Sequence, residues 1–162
     1  MLLALLVGFA GCGAPVPPPA PAPAASRCLA GAWSLALDVV EDPGGPPRRV
    51  TGTLVLAPVD STAPQVWMVT MGIRARYTGG YGLDEPRFGP SGSGNRRAAA
   101  ALLTNTVHAA LGVGIGDGEL VMRGTLAGDS VSGTWFQAAY MPLVRGRFVM
   151  HRTSAGSCAS PS

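Results

Sequence analysis

The side chains of this 162-residue chain best suited to proton transfer near neutrality are its two histidines, His108 and His151. A serine nucleophile for either would have to come from Ser91 or Ser93. Both sit in Gly89-Pro90-Ser91-Gly92-Ser93-Gly94, which approaches the G-x-S-x-G elbow without matching it. That elbow works because a strand, a sharp turn and a helix push the hydroxyl outward, and no such context surrounds these serines. Neither histidine has an evident orienting partner, and the cysteines and histidines lack the spacing of a metal site. Gly112-Val113-Gly114-Ile115-Gly116-Asp117-Gly118 departs from the dinucleotide fingerprint at Asp117 and reads as a turn before Leu120. Calcium binding there would need tandem repeats that are missing. All 12 basic residues are arginine, which excludes Schiff-base and P-loop lysine chemistry. The formal charge of +3 is mild and scattered, with no basic stripe or interleaved aromatics for nucleic acid. The expectation is therefore no catalytic residues, no cofactor, no metal and no nucleic acid. Binding, not catalysis, is what the chain is equipped for.

The elements that would position a binding site follow a period of two. Trp33, Leu35, Leu37 and Val39 share one face against Ser34, Ala36 and Asp38; Gly52, Leu54 and Leu56 alternate with Thr51, Thr53 and Val55. A longer strand is expected over 67–77, with Trp67, Val69, Met71, Ile73, Ala75 and Tyr77 inward and Thr70, Arg74 and Arg76 outward. Its length suits a tilted barrel strand. Gly128-Asp129 makes a two-residue hairpin in which Leu126 faces Val131, Gly124 faces Gly133 and Met122 faces Trp135. The last strand, 143–152, puts Val144, Gly146, Phe148 and Met150 inward and Arg145, Arg147 and His151 outward. Arg123 is outward too, so these arginines form a basic patch if their strands are neighbours.

A small unit recurs at Gly31-Ala32-Trp33, Gly52-Thr53-Leu54, Gly124-Thr125-Leu126, Gly133-Thr134-Trp135 and Gly146-Arg147-Phe148. Glycine two residues before a large apolar side chain leaves room on the same face for a neighbour and lets the strand coil. Residues 78–97 read as a long Gly/Pro/Ser loop with a short strand inside it at 81–88. Residues 98–111 read as a strand rather than a helix, because everything around them is β. The fold class is all-β: a small antiparallel up-and-down barrel of seven or eight strands.

The first twelve residues carry an address. Residues 1–10 are an apolar run too short to span a bilayer, and they end in Phe9-Ala10-Gly11-Cys12. This resembles the lipobox of bacterial lipoproteins, in which the cysteine thiol is alkylated with diacylglycerol. The resemblance implies a signal peptide over 1–11, a lipidated Cys12 and attachment to the membrane of the cell envelope. Gly13 after the cysteine, in place of an acidic residue, implies the outer membrane, facing the periplasm. An ordinary signal peptide cut at a later alanine is the alternative, and it would remove Cys12. Residues 13–27 hold six of the 15 prolines and read as a polyproline II tether on the order of 45 Å long. With Cys12 lipidated and the domain exported, Cys28 and Cys158 remain to form a disulfide. The domain then spans 28–158, with 159–162 a disordered tail.

Gly31-Ala32-Trp33 on the first strand, the run of hairpins and Arg152 on the last strand resemble the calycin group, the lipocalins and avidins. There the tryptophan closes one barrel end and a late arginine packs across it, roles that fall to Trp33 and Arg152. The resemblance implies an interior cavity for an apolar small ligand, a carrier or sensor. The lining would be Trp33, Trp67, Met71, Met122, Trp135 and Phe148. The rival is a solid-core module that binds an envelope protein through residues 78–97 or the outward arginines.

Overall fold

The computed structural model describes residues 28–59, 67–68, 71–88, 96–112, 118–138 and 144–158. Cys12, the tether, Ser91 and Ser93, the 113–117 turn and the 159–162 tail lie outside these residues. Ten strands run β1 (Gly31–Glu41), β2 (Arg48–Pro58), β3 (Trp67–Met68), β4 (Ile73–Arg74), β5 (Tyr77–Leu83), β6 (Arg97–Leu103), β7 (Thr106–Leu111), β8 (Glu119–Ala127), β9 (Ser130–Ala138) and β10 (Arg145–Ala155). A 3-10 turn, Pro86–Phe88, follows β5. Eight of the strands close a barrel in the order β1-β10-β9-β8-β7-β6-β5-β2, every pairing antiparallel. It is the expected up-and-down barrel, with closure removing the exposed sheet edges.

The period of two is the reason β1 and β2 turn their aliphatic faces inward, with Trp33, Leu35, Leu37, Val39, Leu54 and Leu56 all buried. The β8–β9 hairpin has the expected register, Leu126 against Val131, Gly124 against Gly133 and Met122 against Trp135. At its turn Gly128 takes φ +59°, a left-handed conformation that glycine adopts without a Cβ penalty. Inside the barrel, large residues lie over small ones along rows that cross the strands. One row is Leu37, Phe148, Gly133, Gly124 and Val107. A Cβ on Gly124 would stand 2.7 Å from the Phe148 ring, and one on Gly133 would strike the backbone of β8. The next row is Val39, Gly146, Trp135, Met122 and Ala109, and a Cβ on Gly146 would strike the Asp38 carbonyl of β1 and approach the Trp135 indole to 3.0 Å. The recurring glycine unit is thus a packing device, at least at these three positions.

Three expected elements differ. Residues 67–77 are not one barrel strand: β3 and β4 form a separate two-stranded hairpin, and Gly72 between them sits at φ +62°. In β3 the parity inverts, so that Trp67 is exposed and Met68 is buried against Ala75, Ala99, Ala101 and Ala110 on the outside of the barrel wall, whereas in residues 71–76 it holds, with Met71, Ile73 and Ala75 packed on that layer and Arg74 and Arg76 exposed. Residues 98–111 are a hairpin, β6 and β7, turning at Thr104-Asn105 with Thr104 at φ 58°. The four consecutive alanines of β6 are buried on both faces, Ala98 and Ala100 by the interior, Ala99 and Ala101 by the β3–β4 layer. The region expected to be a loop after residue 77 begins with barrel strand β5, bonded to β2 and β6.

Candidate binding surface

Both barrel ends are closed among the described residues. At the end where the chain enters, Trp33 is fully buried, its indole N–H donates to the Leu29 carbonyl at 3.0 Å, and the Arg152 guanidinium lies 4.3 Å from its ring centroid. Arg152 also donates to the carbonyls of Ala30 at 2.7 Å and Cys28 at 2.6 Å, and to Asp129 at 2.8 Å. Cys28 and Cys158 are bonded, with Cα atoms 6.3 Å apart. At the opposite end Phe88 plugs the barrel, edge-on to Trp135 at 5.5 Å between centroids. Arg48 stacks on the outer side of Phe88 and is held by Asp42 at 2.7 Å, which also engages Arg87. The Arg48 hydrogen bond comes first among the causes that hold the Asp42 carboxyl below its ordinary value, followed by the Gly44 N–H. This cap was not anticipated. The signals were a Pro/Gly turn at 43–47 between two charged residues and a proline opening the 86–88 turn.

Of the six expected lining residues, Trp33, Met122, Trp135 and Phe148 come together in the interior, each 0–1% exposed. The walls of a ligand-sized void would retain accessible area, and these side chains have almost none; neighbouring atoms occupy their surfaces. Trp67 and Met71 are not interior residues, which corrects that expectation. Trp67 is 55% exposed with Arg74 stacked on it at 5.6 Å, and Met71 packs with the β3–β4 layer outside the wall. Both belong to the β3–β4 layer, whose strands pair with each other and not with the barrel.

The histidines face outward. His151 Nδ1 stands 2.8 Å from the Ser130 hydroxyl, a partner supplied by strand pairing that the sequence did not reveal. His108 is half-buried beside Arg123; burial foremost, and then the arginine's charge, lowers its pKa.

No family model matches the chain, and no curated protein matches it. A solved structure similar to it is Rv2717c from M. tuberculosis, which aligns with a TM-score of 0.39 at 18% identity, covering 80% of this chain and 94% of that one.

The outer wall is where charge is left unmatched. Among the described acids, Asp38 takes Arg49, Glu41 takes Arg145, Asp42 and Glu85 take Arg48, and Asp129 takes Arg152. Asp84 accepts from Thr51, and Glu119 is buried and not free. Arg74, Arg76, Arg96 and Arg97 have no ion pair among the described residues, and neither do the exposed Arg123 and Arg147. Arg123 and Arg147 share one outward rib, in which His108, Arg123, Thr134, Arg147 and Asp38 are successive register partners. Beside it lies an open groove of about 400 Å³ lined by Val40, Glu41, Phe136, Arg145 and Arg147 among others. The register slips between Val39 and Glu41, so Val40 bulges outward, 53% exposed, near the exposed Phe136.

Proposed function

We infer that this is an envelope lipoprotein of the outer membrane, anchored through lipid on Cys12, whose solid-cored barrel acts as an interaction module rather than as a carrier of an apolar ligand. The filled interior is the observation that carries the reading: Trp33, Met122, Trp135 and Phe148 have 0–1% of their surface accessible. An eight-stranded barrel is the size at which side chains can fill the inside or leave room for one small ligand, and the lack of accessible area on these four favours the first. The Phe88 and Trp33 ends add to the support, since a ligand would have to displace one of them. An open groove next to a rib that carries two of the unpaired arginines, Arg123 and Arg147, then leaves the exterior as the working surface.

Native mass spectrometry of the mature protein, exported in its own envelope and sprayed from detergent before and after unfolding, tests both parts. The expected mass begins at Cys12 with at least two acyl chains added, enough buried methylenes for stable anchoring. No further apolar adduct is expected. An adduct released on unfolding would restore the carrier, and a mature chain lacking Cys12 would remove the anchor.

A further inference from the structure

We propose that the groove between β1, β9 and β10, with the Arg123–Thr134–Arg147 rib beside it, docks an extended acidic segment of a partner protein that carries an apolar side chain. The proposal rests on the interaction-module reading and names the partner's chemistry. Neighbouring strands lie about 4.8 Å apart, so Arg123 and Arg147, two strands apart on one rib, are on the order of 10 Å apart at Cα. Alternate residues of an extended peptide project to one side about 7 Å apart. Two flexible guanidinium arms can close that difference, one on each carboxylate, and the exposed Thr134 hydroxyl between them can donate or accept.

The neighbouring charges set the polarity. Asp38, the register partner of Arg147, is taken on both oxygens by Arg49 at 2.7 and 2.9 Å, leaving Arg147 without a competing bond. Arg145 is likewise held by both oxygens of Glu41, at 2.8 and 2.9 Å. The outer end of the groove is therefore neutral and offers the apolar surfaces of Val40 and Phe136, while the inner end is cationic. An acidic pair over the rib fits this arrangement when the apolar side chain of the segment reaches across to the neighbouring row that carries Phe136 and Arg145. The groove is open, suiting a chain laid across it more than an enclosed small molecule. It lies at the end of the barrel opposite Cys28.

The test uses the mature chain from Gly13, exported behind a general secretion signal, so that neither acyl chains nor the apolar 1–10 run contributes. The probes are a short fluorescent peptide with two alternate glutamates followed by one phenylalanine, the same peptide with alanine for phenylalanine, and phosphatidylglycerol vesicles. Saturable binding of the phenylalanine peptide is expected, weaker for the alanine peptide and weakened by salt. R123E/R147E should lower affinity at least about tenfold, and F136S should remove the preference for phenylalanine. R123K/R147K, which keeps charge but not the fork, separates positioned contacts from general attraction by an intermediate loss. Unchanged near-UV dichroism guards against misfolding. Vesicle binding without peptide binding would overturn the proposal in favour of a membrane face. Absence of both, or peptide binding indifferent to the arginine variants, would overturn it outright. A solid core and an empty groove remain distinguishable, because an interior adduct reads the first and peptide anisotropy the second.

Discussion

Arg152 closes one end of the barrel through several contacts at once. Its side chain is 7% exposed, satisfies the carbonyls of Cys28 and Ala30, and covers the Trp33 face. Removing it leaves two carbonyl acceptors and an indole face without their partner, so Arg152→Ala should cost about 3 kcal/mol in urea unfolding. Arg152→Lys should recover only part of this, because one ammonium cannot serve divergent acceptors as a planar fork does. The pairing of Trp33 with Arg152 was expected from their resemblance to a barrel-closing pair; the carbonyls that hold the guanidinium were not, since hydrogen-bond partners 122 and 124 residues away leave no local pattern. His108 gives a prediction of opposite character. Burial first, and Arg123 second, lower its folded pKa, so the unfolded chain binds the proton more readily. Its contribution to stability is present above the unfolded value of about 6.5 and is lost as pH falls through that value toward the lower folded one. Replacing His108 by Asn should flatten this part of the stability–pH curve, measured by thermal midpoints across mildly acidic buffers.

At the scale of elements, legibility tracked how far a strand's neighbours are encoded locally. The β8–β9 hairpin was readable to the residue because its turn and both strands lie within one short stretch, and each inward residue finds another inward residue. The alternation over 67–77 was equally regular and misled, since a period of two does not say which face meets the core or whether a second layer covers the wall. Gly72 was the available signal, a glycine inside a supposed strand. Asn105 was the corresponding signal within 98–111, where a two-residue turn separates β6 from β7. The groove was legible only in part: alternation exposed Arg123, Arg145 and Arg147, but the bulge at Val40 depends on how β1 pairs with β10. The glycine rows support a direct test. Gly124→Ala, where a Cβ would stand 2.6 Å from the Ser132 carbonyl oxygen and 2.7 Å from the Phe148 ring, should destabilise by about 1 to 3 kcal/mol through overpacking. Gly128 has nothing within 4 Å of its would-be Cβ but sits at φ +59°, so Gly128→Asn should be nearly neutral and Gly128→Val should not. Chemical denaturation of the three variants separates crowding from backbone strain.

Across the whole molecule the barrel is a ring in which the first strand must find the last. β1 pairs with both β2 and β10, and the β1–β10 seam joins segments more than a hundred residues apart. Closing such a seam requires the largest loop closure in the fold, and it forms late if local hairpins form first. The Cys28–Cys158 bond, with a sequence separation of 130, spans this seam and removes much of that entropy from the unfolded chain. The loop-entropy relation gives about 5 kcal/mol for a loop of this length, a large share of the roughly 5 to 15 kcal/mol by which a domain is stable. The Cys28→Ser/Cys158→Ser variant should therefore keep the β-sheet signature at low temperature but unfold at a much lower denaturant midpoint. It should also refold more slowly than the oxidised protein, because the seam must again be found by diffusion. The local β8–β9 hairpin should be little affected, with amide protection there falling no further than the new global stability. If the double variant kept the wild-type midpoint, the seam would be held by its strand pairing and by Arg152 alone. In that event Arg152→Ala in the cysteine-free background should open the barrel altogether, whereas in the oxidised protein the same substitution only weakens it.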